Sequence, residues 1–272
     1  MRRGAIMIEK IKFGMPTLIE CPTLEENARL CHELGLDFIE LNMNFPQYQI
    51  KQLENTEYLT EIAEKYNLFY TIHLDENMDI CNFNYLVADA YLETVRRTIE
   101  VAKKLHIPVL NMHMNHGIYT TLPDRKVRMY QEYFTEYMEG VRKFRDMCEQ
   151  IIGGADIKIC IENTDGYLDF EKNAIEYLLE SKVFALTWDI GHSHGTKNID
   201  EPFLMEHHNK LSHFHVHDGL GTKNHQTLGT GEIDLAQRLS IAKEHNCRCV
   251  VETKTVDALR KSIEYLTKTD FK

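Results

Sequence analysis

Residues 212–219 read SHFHVHDG, a stretch with histidine at every second position. Side chains alternate between the two faces of a strand, so His213, His215 and His217 would share one face, and Phe214 and Val216 the other. A face with three imidazoles looks either at water or into a site that needs nitrogen ligands. The stretch therefore predicts a strand with one apolar face, and it leaves these two surroundings open for the other face.

Seven further β-rich runs occur along the chain, and helical patterns separate them. The eight strand candidates are IKFGM, DFIELN, LFYTIHL, PVLNMHM, IKICIEN, VFALTWD, LSHFHVHD and CRCVVET. Strict alternation of strand and helix predicts a parallel sheet, and eight repeats predict an α/β fold closed into a single (β/α)₈ TIM barrel. The rival fold is an open doubly wound sheet, but no glycine-rich phosphate turn follows the first strand.

Three connecting segments have predicted conformations of their own. Thr23 and Glu26 form a capping-box pattern at the start of the first helix, and Gly35 ends that helix. Apolar residues from 127 to 148 recur at helical spacing, which predicts one longer helix. Residues 218–234, DGLGTKNHQTLGTGEID, are too rich in glycine for a strand or helix before Glu232, and we expect this loop to cover the barrel mouth.

Composition bounds the class of protein. The chain has 272 residues, 43% of them hydrophobic, which suffices for one core of barrel size. We expect one domain spanning residues 1–272, and the sequence leaves open whether the protein starts at Met1 or at Met7, downstream of residues 1–6. The net charge of −11 argues against nucleic acid as a partner and favours a small molecule. The seven cysteines form no CxxC pair, which favours reduced, buried thiols over disulfides or zinc thiolates.

The N-terminal segment and the hydropathy pattern bear on location. The run MRRGAIMIEKIKF is interrupted at Glu9 and Lys10, too early for the core of a signal peptide. No stretch approaches the ~20 apolar residues that a membrane span needs. We therefore expect a cytoplasmic protein with no membrane partner. The sequence leaves open whether the chain forms a homo-oligomer.

Strand parity brings four polar side chains together. In IKICIE and FALTWD the bulky residues share the face that belongs against the helices, so Glu162 and Asp189 point to the barrel axis. His215 and Glu252 hold equivalent positions on the last two strands, near the C-terminal strand ends where barrel active sites lie. Buried charges need a counter-charge, and a divalent ion supplies it. Mixed carboxylate and imidazole ligands favour Zn²⁺ or Mn²⁺, with Co²⁺ and Mg²⁺ as alternatives.

Two further histidines end neighbouring strands. His73 and His113 close the third and fourth strand candidates. They would hold a second metal ion that shares Glu162, or they would contact the substrate.

The remaining candidates have weaker positional arguments. His213 lies two positions deeper than the ligand histidine and is expected to be structural, whereas His217 lies higher, where it would contact substrate or a loop. In the covering loop, Lys223 and His225 would offer polar contacts to substrate hydroxyls or a phosphate. Glu40 can point inward, but no spacing argument supports a role for it.

The motifs IENTDG, TWDIGHSHG, HFHVHDG followed by LGTGEID, and VVETKT occur in this order along the chain. Together they resemble the sugar isomerase and epimerase barrels related to endonuclease IV, also described as xylose isomerase-like, and the resemblance covers almost the whole chain. It implies that Glu162, Asp189, His215 and Glu252 hold one catalytic metal ion. It also implies that His192 contacts a substrate hydroxyl.

The resemblance to endonuclease IV itself is incomplete. That enzyme has histidines at the positions of His73 and His113, and a third metal held by residues matching His192, His225 and an aspartate. Lys223 stands at the aspartate position, and an ammonium group repels a cation where a carboxylate would bind one. This departure argues against a third zinc ion.

The resemblance implies an activity with alternatives. The expected function is a metal-dependent sugar or polyol isomerase or epimerase, in which Glu162 and Glu252 transfer protons through an enediolate. Ketohexose 3-epimerases carry an arginine about six residues after the ligand histidine, where Gly221 stands, so the resemblance does not extend to ketohexose specificity. The alternatives are an abasic-site nuclease, an inosose-type dehydratase, and a barrel that binds sugar without turnover.

Overall fold

Eight parallel strands close into a barrel, which confirms the predicted fold. The structure is a computed structural model that describes residues 10–269 and 271–272, so the alternative start at Met7 and residues 1–6 lie outside the described residues. The barrel strands are β1 (Lys12–Pro16), β2 (Phe38–Asn42), β3 (Phe69–His73), β4 (Val109–His113), β5 (Lys158–Glu162), β6 (Phe184–Asp189), β7 (Leu211–Val216) and β8 (Arg248–Val251). Each strand pairs with its neighbours in chain order, and β8 closes the ring onto β1.

Helices connect the barrel strands and pack around them. Their bounds are α1 (Leu24–Glu33), α2 (Ile50–Leu53), α3 (Thr56–Tyr66), α4 (Tyr85–Leu105), α5 (Met129–Glu132), α6 (Phe134–Ile152), α7 (Asp169–Leu179), α8 (Ile190–Gly195), α9 (Glu201–Glu206), α10 (Leu235–Glu244) and α11 (Val256–Lys268), with 3₁₀ turns at Pro46–Tyr48 and His208–Lys210. The predicted capping box of α1 is present, since Thr23 Oγ1 accepts the Glu26 N–H at 3.2 Å. In the part of the chain that the structure describes, no helix combines the length and apolar character that a membrane crossing requires.

The barrel interior is layered from apolar to titratable. Val109, Cys160 and Ala185 form a small apolar cluster of their own, separate from the main core between the strands and the helices. Two residues further along their strands, Thr187 donates a hydrogen bond to Asn111 Oδ1 at 2.5 Å. Because side chains two apart share a face, the next inward residues of these strands project at the C-terminal end. The strands therefore place their titratable side chains above a packed floor.

The predicted helix over residues 127–148 is wrong in its first part. Val127 lies in the strand Lys126–Arg128, which pairs with Tyr119–Thr121 in a hairpin, and Tyr133 interrupts the helical backbone between α5 and α6 with φ −105° and ψ 52°. The side chain of Tyr130 stays buried, with its ring centroid 4.9 Å from that of Tyr137. The spacing of apolar residues indicates which side of a segment is buried. This spacing continues across the break at Tyr133, so it could not show where the helix begins.

The glycine-rich loop also contains structure that the sequence did not predict. Asp218–Leu220 pairs with Lys223–Gln226 in an antiparallel hairpin before Glu232. Gly221 begins its two-residue turn with a φ of +58°, a conformation that glycine adopts without strain. The glycine that argued against a strand is the residue that allows the hairpin to turn.

The cysteines are consistent with the expected thiols. All seven are free and buried. Burial raises the pKa of Cys31 to about 12, which keeps this thiol protonated at neutral pH.

A partly buried ion pair connects the segment after β4 to α7. His116 Nδ1 lies 2.7 Å from Glu171 Oε1, and Glu171 is buried. This hydrogen bond raises the pKa of His116 above its ordinary value, although burial opposes the change. Because the folded-state pKa is the higher one, the pair stabilises fully below the unfolded-state pKa of about 6.5, and the stabilisation is lost as pH rises through the folded-state pKa.

We therefore expect His116→Gln to lower the free energy of unfolding by about 1 kcal/mol or more at low pH and by less at high pH. Urea titrations at pH 5.5 and pH 9 measure the difference from wild type. The exposed variant His208→Gln is the control and should show no such trend. An equal deficit for His116→Gln at both pH values would contradict the linkage.

Candidate metal centre

Four residues meet at the C-terminal end of the barrel, here called the mouth. Glu162 ends β5, Asp189 ends β6, His215 lies on β7 and Glu252 follows β8. One ligand atom from each lies within 4.8 Å of all the others, and all four residues are buried. The structure thus brings together the four residues that strand parity predicted, and we call them the ligand cluster.

His215 Nδ1 is the centre of the ligand cluster. It lies 3.1 Å from Glu162 Oε1, 3.1 Å from Glu252 Oε2 and 3.8 Å from Asp189 Oδ2. Asp189 is aligned by its neighbours, because its Oδ1 accepts the backbone N–H of His192 at 2.6 Å as the N-cap of α8. The short helix after β6 therefore fixes one carboxylate of the cluster.

The charges in this cluster depend on one another. Burial alone would raise the pKa values of Glu162 and Glu252, but the charge of His215 outweighs it and holds both well below their usual range. Conversely, burial lowers the pKa of His215, but Glu162 and the other carboxylates raise it well above its ordinary value. A positive charge at the position of His215 Nδ1 therefore stabilises the carboxylates, and a divalent cation would provide it.

Glu162 has further contacts on its second oxygen. Asn111 Nδ2 donates to Glu162 Oε2 at 2.5 Å, and the Nε2 atoms of His113 and His73 lie 3.1 and 3.4 Å from the same oxygen. Burial alone would lower the pKa of His73, but the hydrogen bond and the charge of Glu162 outweigh burial and raise this pKa to about 9. His73 also belongs to a set of possible ligand atoms with Glu162 and His215, and that set does not include His113.

A group of three histidines lies beside the ligand cluster. His192, His217 and His225 each place a ring nitrogen within 4.8 Å of the others. His217 uses both nitrogens, since Nε2 lies 3.0 Å from Asp189 Oδ1 and Nδ1 accepts the backbone N–H of His225 at 2.7 Å. This leaves no free lone pair on His217, which is fully buried and contacts the covering loop, one of its two predicted partners.

His192 and His225 each have one nitrogen left. Their Nδ1 atoms lie 3.3 Å from the Asn163 carbonyl and 3.2 Å from the Glu252 carbonyl. No backbone group of the described residues makes a hydrogen bond with their Nε2 atoms. Lys223 is exposed on the hairpin. Two imidazole nitrogens without a carboxylate are a poor ligand set for a third ion, in agreement with the argument from Lys223.

Two charged residues of the site were not identified as functional by sequence reasoning. Lys254 Nζ lies 2.6 Å from Glu252 Oε1, and burial lowers its pKa less than Glu252 raises it. Glu40 Oε1 lies 2.8 Å from His215 Nε2. The alternation of side chains in FIELN places Glu40 inward. Its partner His215 is far away in the sequence, so no local sequence pattern identifies Glu40 as functional.

The fold and the ligand cluster define a (β/α)₈ barrel with a buried carboxylate and imidazole site at its mouth. Residues 28–269 match the xylose isomerase-like TIM barrel family, and the chain belongs to this family. A search of curated proteins finds no match.

Solved structures with this fold include proteins described as sugar epimerases. The chain is similar to a D-tagatose 3-epimerase-like protein at 23% identity and a TM-score of 0.77, over 95% of this chain and 96% of that one. It is similar to the 3-keto-D-glucoside 4-epimerase YcjR from E. coli at 17% identity and a TM-score of 0.74, over 95% and 100%. It is also similar to the IOLI protein with a bound zinc atom at 16% identity and a TM-score of 0.70, over 96% and 98%. At these identities the likeness shows a shared fold.

We expect the purified protein to bind at least one divalent ion per chain through the ligand cluster. Asp189→Ala and His215→Ala each remove one ligand, and each should weaken zinc binding by about tenfold or more. Elemental analysis after dialysis against a metal buffer measures the content. His208→Ala removes an exposed histidine far from the cluster and should retain the ion.

Full metal content in both ligand variants, or no metal in reconstituted wild type, would contradict this ligand set. The same titration counts the ions. A second, weaker ion lost in His113→Ala would support a second site at His73 and His113, whereas a single ion that this variant retains would exclude it.

Proposed function

We propose that the protein is a divalent-metal-dependent isomerase or epimerase that acts on a sugar or polyol. The observation that carries the proposal is the pair Glu162 and Glu252, which both contact His215 Nδ1 at the mouth of the barrel. Membership of the xylose isomerase-like family and the similarity to two epimerase structures support it.

The donor set fits a divalent ion. Three buried carboxylates and one imidazole nitrogen offer ligand atoms within 4.8 Å of one another, a mixture that suits Zn²⁺ or Mn²⁺ better than Ca²⁺. Co²⁺ and Mg²⁺ remain alternatives. The zinc atom in the similar IOLI structure supports zinc.

The two glutamates are suited to proton transfer. A bound ion would supply Lewis-acid polarisation of a substrate carbonyl and its neighbouring hydroxyl. Glu162 and Glu252 come from strands that are three positions apart in the ring of eight, so they approach the mouth from different sides. One carboxylate would remove a carbon-bound proton and the other would return one, which is what epimerisation needs.

Neighbouring side chains hold these carboxylates and would bind the substrate. Lys254 contacts Glu252 Oε1, which turns Oε2 toward His215. The free Nε2 atoms of His192 and His225 would contact substrate hydroxyls. Burial lowers the pKa of His225 to about 4, so its neutral ring would accept or donate a hydrogen bond at neutral pH. Exposed Lys223 would contact an outer hydroxyl or a phosphate.

Three alternatives share parts of this site. An inosose-type dehydratase would begin with the same proton abstraction and end with loss of a hydroxyl. A sugar-binding barrel would bind without exchange. An abasic-site nuclease is opposed by the net charge of −11 and by the incomplete third ligand set.

The proposal also covers the cellular compartment and the domain organisation of the protein. Free, buried cysteines favour a reducing compartment, which is consistent with the cytoplasm. We propose that residues 1–272 act as one domain, alone or as a homo-oligomer.

We expect metal-loaded protein to exchange carbon-bound protons of its substrate with D₂O, and Glu162→Gln and Glu252→Gln each to slow this exchange by about 10²-fold or more. NMR on a panel of aldoses, ketoses and polyols, with and without phosphate, measures the exchange. Glu76→Gln changes an exposed carboxylate at the mouth and should keep the wild-type rate. Metal content is measured in each variant, because both glutamates also belong to the ligand cluster.

A glutamine variant that keeps its metal and exchanges at the wild-type rate would show that its glutamate only binds the ion. Cleavage of an abasic DNA duplex by the wild type, without sugar exchange, would favour the nuclease. Sugar binding without exchange would favour the binding protein.

A further inference from the structure

A second buried cluster lies on the floor side of the ligand cluster. It consists of Glu40 on β2, Thr71 on β3 and His213 on β7, and we call it the lower cluster. Thr71 Oγ1 donates to Glu40 Oε2 at 2.9 Å, and His213 Nε2 lies 2.9 Å from the same oxygen. Glu40 is 2% exposed and the other two are fully buried. A buried carboxylate in this position is costly unless donors surround it, so its contacts define what it does.

The ring of His215 joins the lower cluster to the ligand cluster. Its Nε2 atom lies 2.8 Å from Glu40 Oε1, whereas its Nδ1 atom lies 3.1 Å from both Glu162 and Glu252. A neutral imidazole carries one proton, and an ionised carboxylate can only accept a hydrogen bond. The proton of a metal-binding His215 therefore belongs on Nε2, facing Glu40, which leaves the Nδ1 lone pair for the ion.

The two carboxylate oxygens of Glu40 have different partners. Oε2 receives Thr71 and His213, which hold the carboxylate in place. Oε1 faces His215. This division distinguishes a residue that orients a ligand from one that only fills the interior, because one oxygen is directed at the ligand ring.

We propose that Glu40 is a positioning residue that holds His215 in the Nε2–H tautomer and strengthens Nδ1 as a metal ligand. The inference rests on the proposed metal-dependent function. A carboxylate that accepts the far N–H of a metal-binding histidine raises the basicity of the ligand, and loss of such a partner typically weakens metal binding ~10- to 100-fold.

The same atoms are not suited to an ion of their own. His213 Nε2 makes a hydrogen bond of 2.9 Å with Glu40 Oε2. His215 Nε2 lies 2.8 Å from Glu40 Oε1 in a close charge contact, and among the described residues this nitrogen has no hydrogen-bond partner. A closed tetrahedral zinc site has four protein ligands, whereas the group at Glu40 offers three, from Glu40, His213 and His215. The hydrogen bonds from Thr71 and His213 and the charge contact with His215 therefore explain the position of Glu40 better than a metal ion does.

The test compares Glu40→Gln with Thr71→Val. Glutamine keeps the shape of the side chain but removes the charge that faces His215, and we expect zinc affinity, measured by chelator competition, to fall ~10- to 100-fold. Valine at position 71 matches threonine in shape and removes one of the two donors to Oε2, but His213 still holds this oxygen, so affinity should stay within about threefold of wild type. In Co²⁺-loaded protein, Glu40→Gln should shift the visible absorption bands and Thr71→Val should not.

A second measurement does not depend on the folding of a variant. In zinc-loaded wild type with ¹⁵N-labelled histidine, we expect the zinc on His215 Nδ1 and the proton on Nε2. Zinc on Nε2 would overturn the proposal.

The outcomes separate this inference from the function on which it rests. Zinc-binding wild type with unchanged affinity and cobalt spectrum in Glu40→Gln would overturn the role of Glu40 and leave the proposed function standing. Two ions per chain, one of them lost only in Glu40→Gln, would overturn it in favour of a lower metal site. Absence of metal binding in wild type would overturn both.

Discussion

The imidazole of His215 is the contact on which the rest of the site depends. Glu40 lies against one of its nitrogens, and Glu162 and Glu252 lie against the other, with Asp189 close by. Four buried carboxylates around one ring cannot keep their charges without a positive partner, because desolvation costs several kcal/mol per ion. The carboxylates therefore need either a second proton on His215 or a cation beside it. The carboxylate of Glu40 can orient the His215 ring so that its other nitrogen faces the cation.

The ligand cluster is separate from the apolar side chains whose packing stabilises the barrel. The apolar floor of Val109, Cys160 and Ala185 packs the lower interior, and Asn111 with Thr187 provides a neutral polar layer above it. The side chains of the ligand cluster lie at the mouth, and the deeper charged residues Glu40 and His213 are paired with each other. Substitutions in the ligand cluster should therefore change metal binding and proton transfer more than they change the fold.

The sequence was sufficient for the fold because strand and helix alternate throughout, and period-two parity identifies which residues face inward. The same parity located Glu162 and Asp189, whose strands are short and regular. It could not assign Glu40, because the contact with His213 joins residues 173 positions apart. It also missed the turn at Gly221 and the break at Tyr133, since both depend on backbone geometry that residue composition does not report.

Anomalous diffraction from crystals of metal-loaded protein tests the central claim most directly. Data collected on both sides of the zinc or manganese absorption edge locate the ion without any assumption about activity. The account predicts a peak within bonding distance of Glu162, Asp189, Glu252 and the Nδ1 atom of His215. A peak only among His192, His217 and His225, or no peak at the mouth of the barrel, would contradict it.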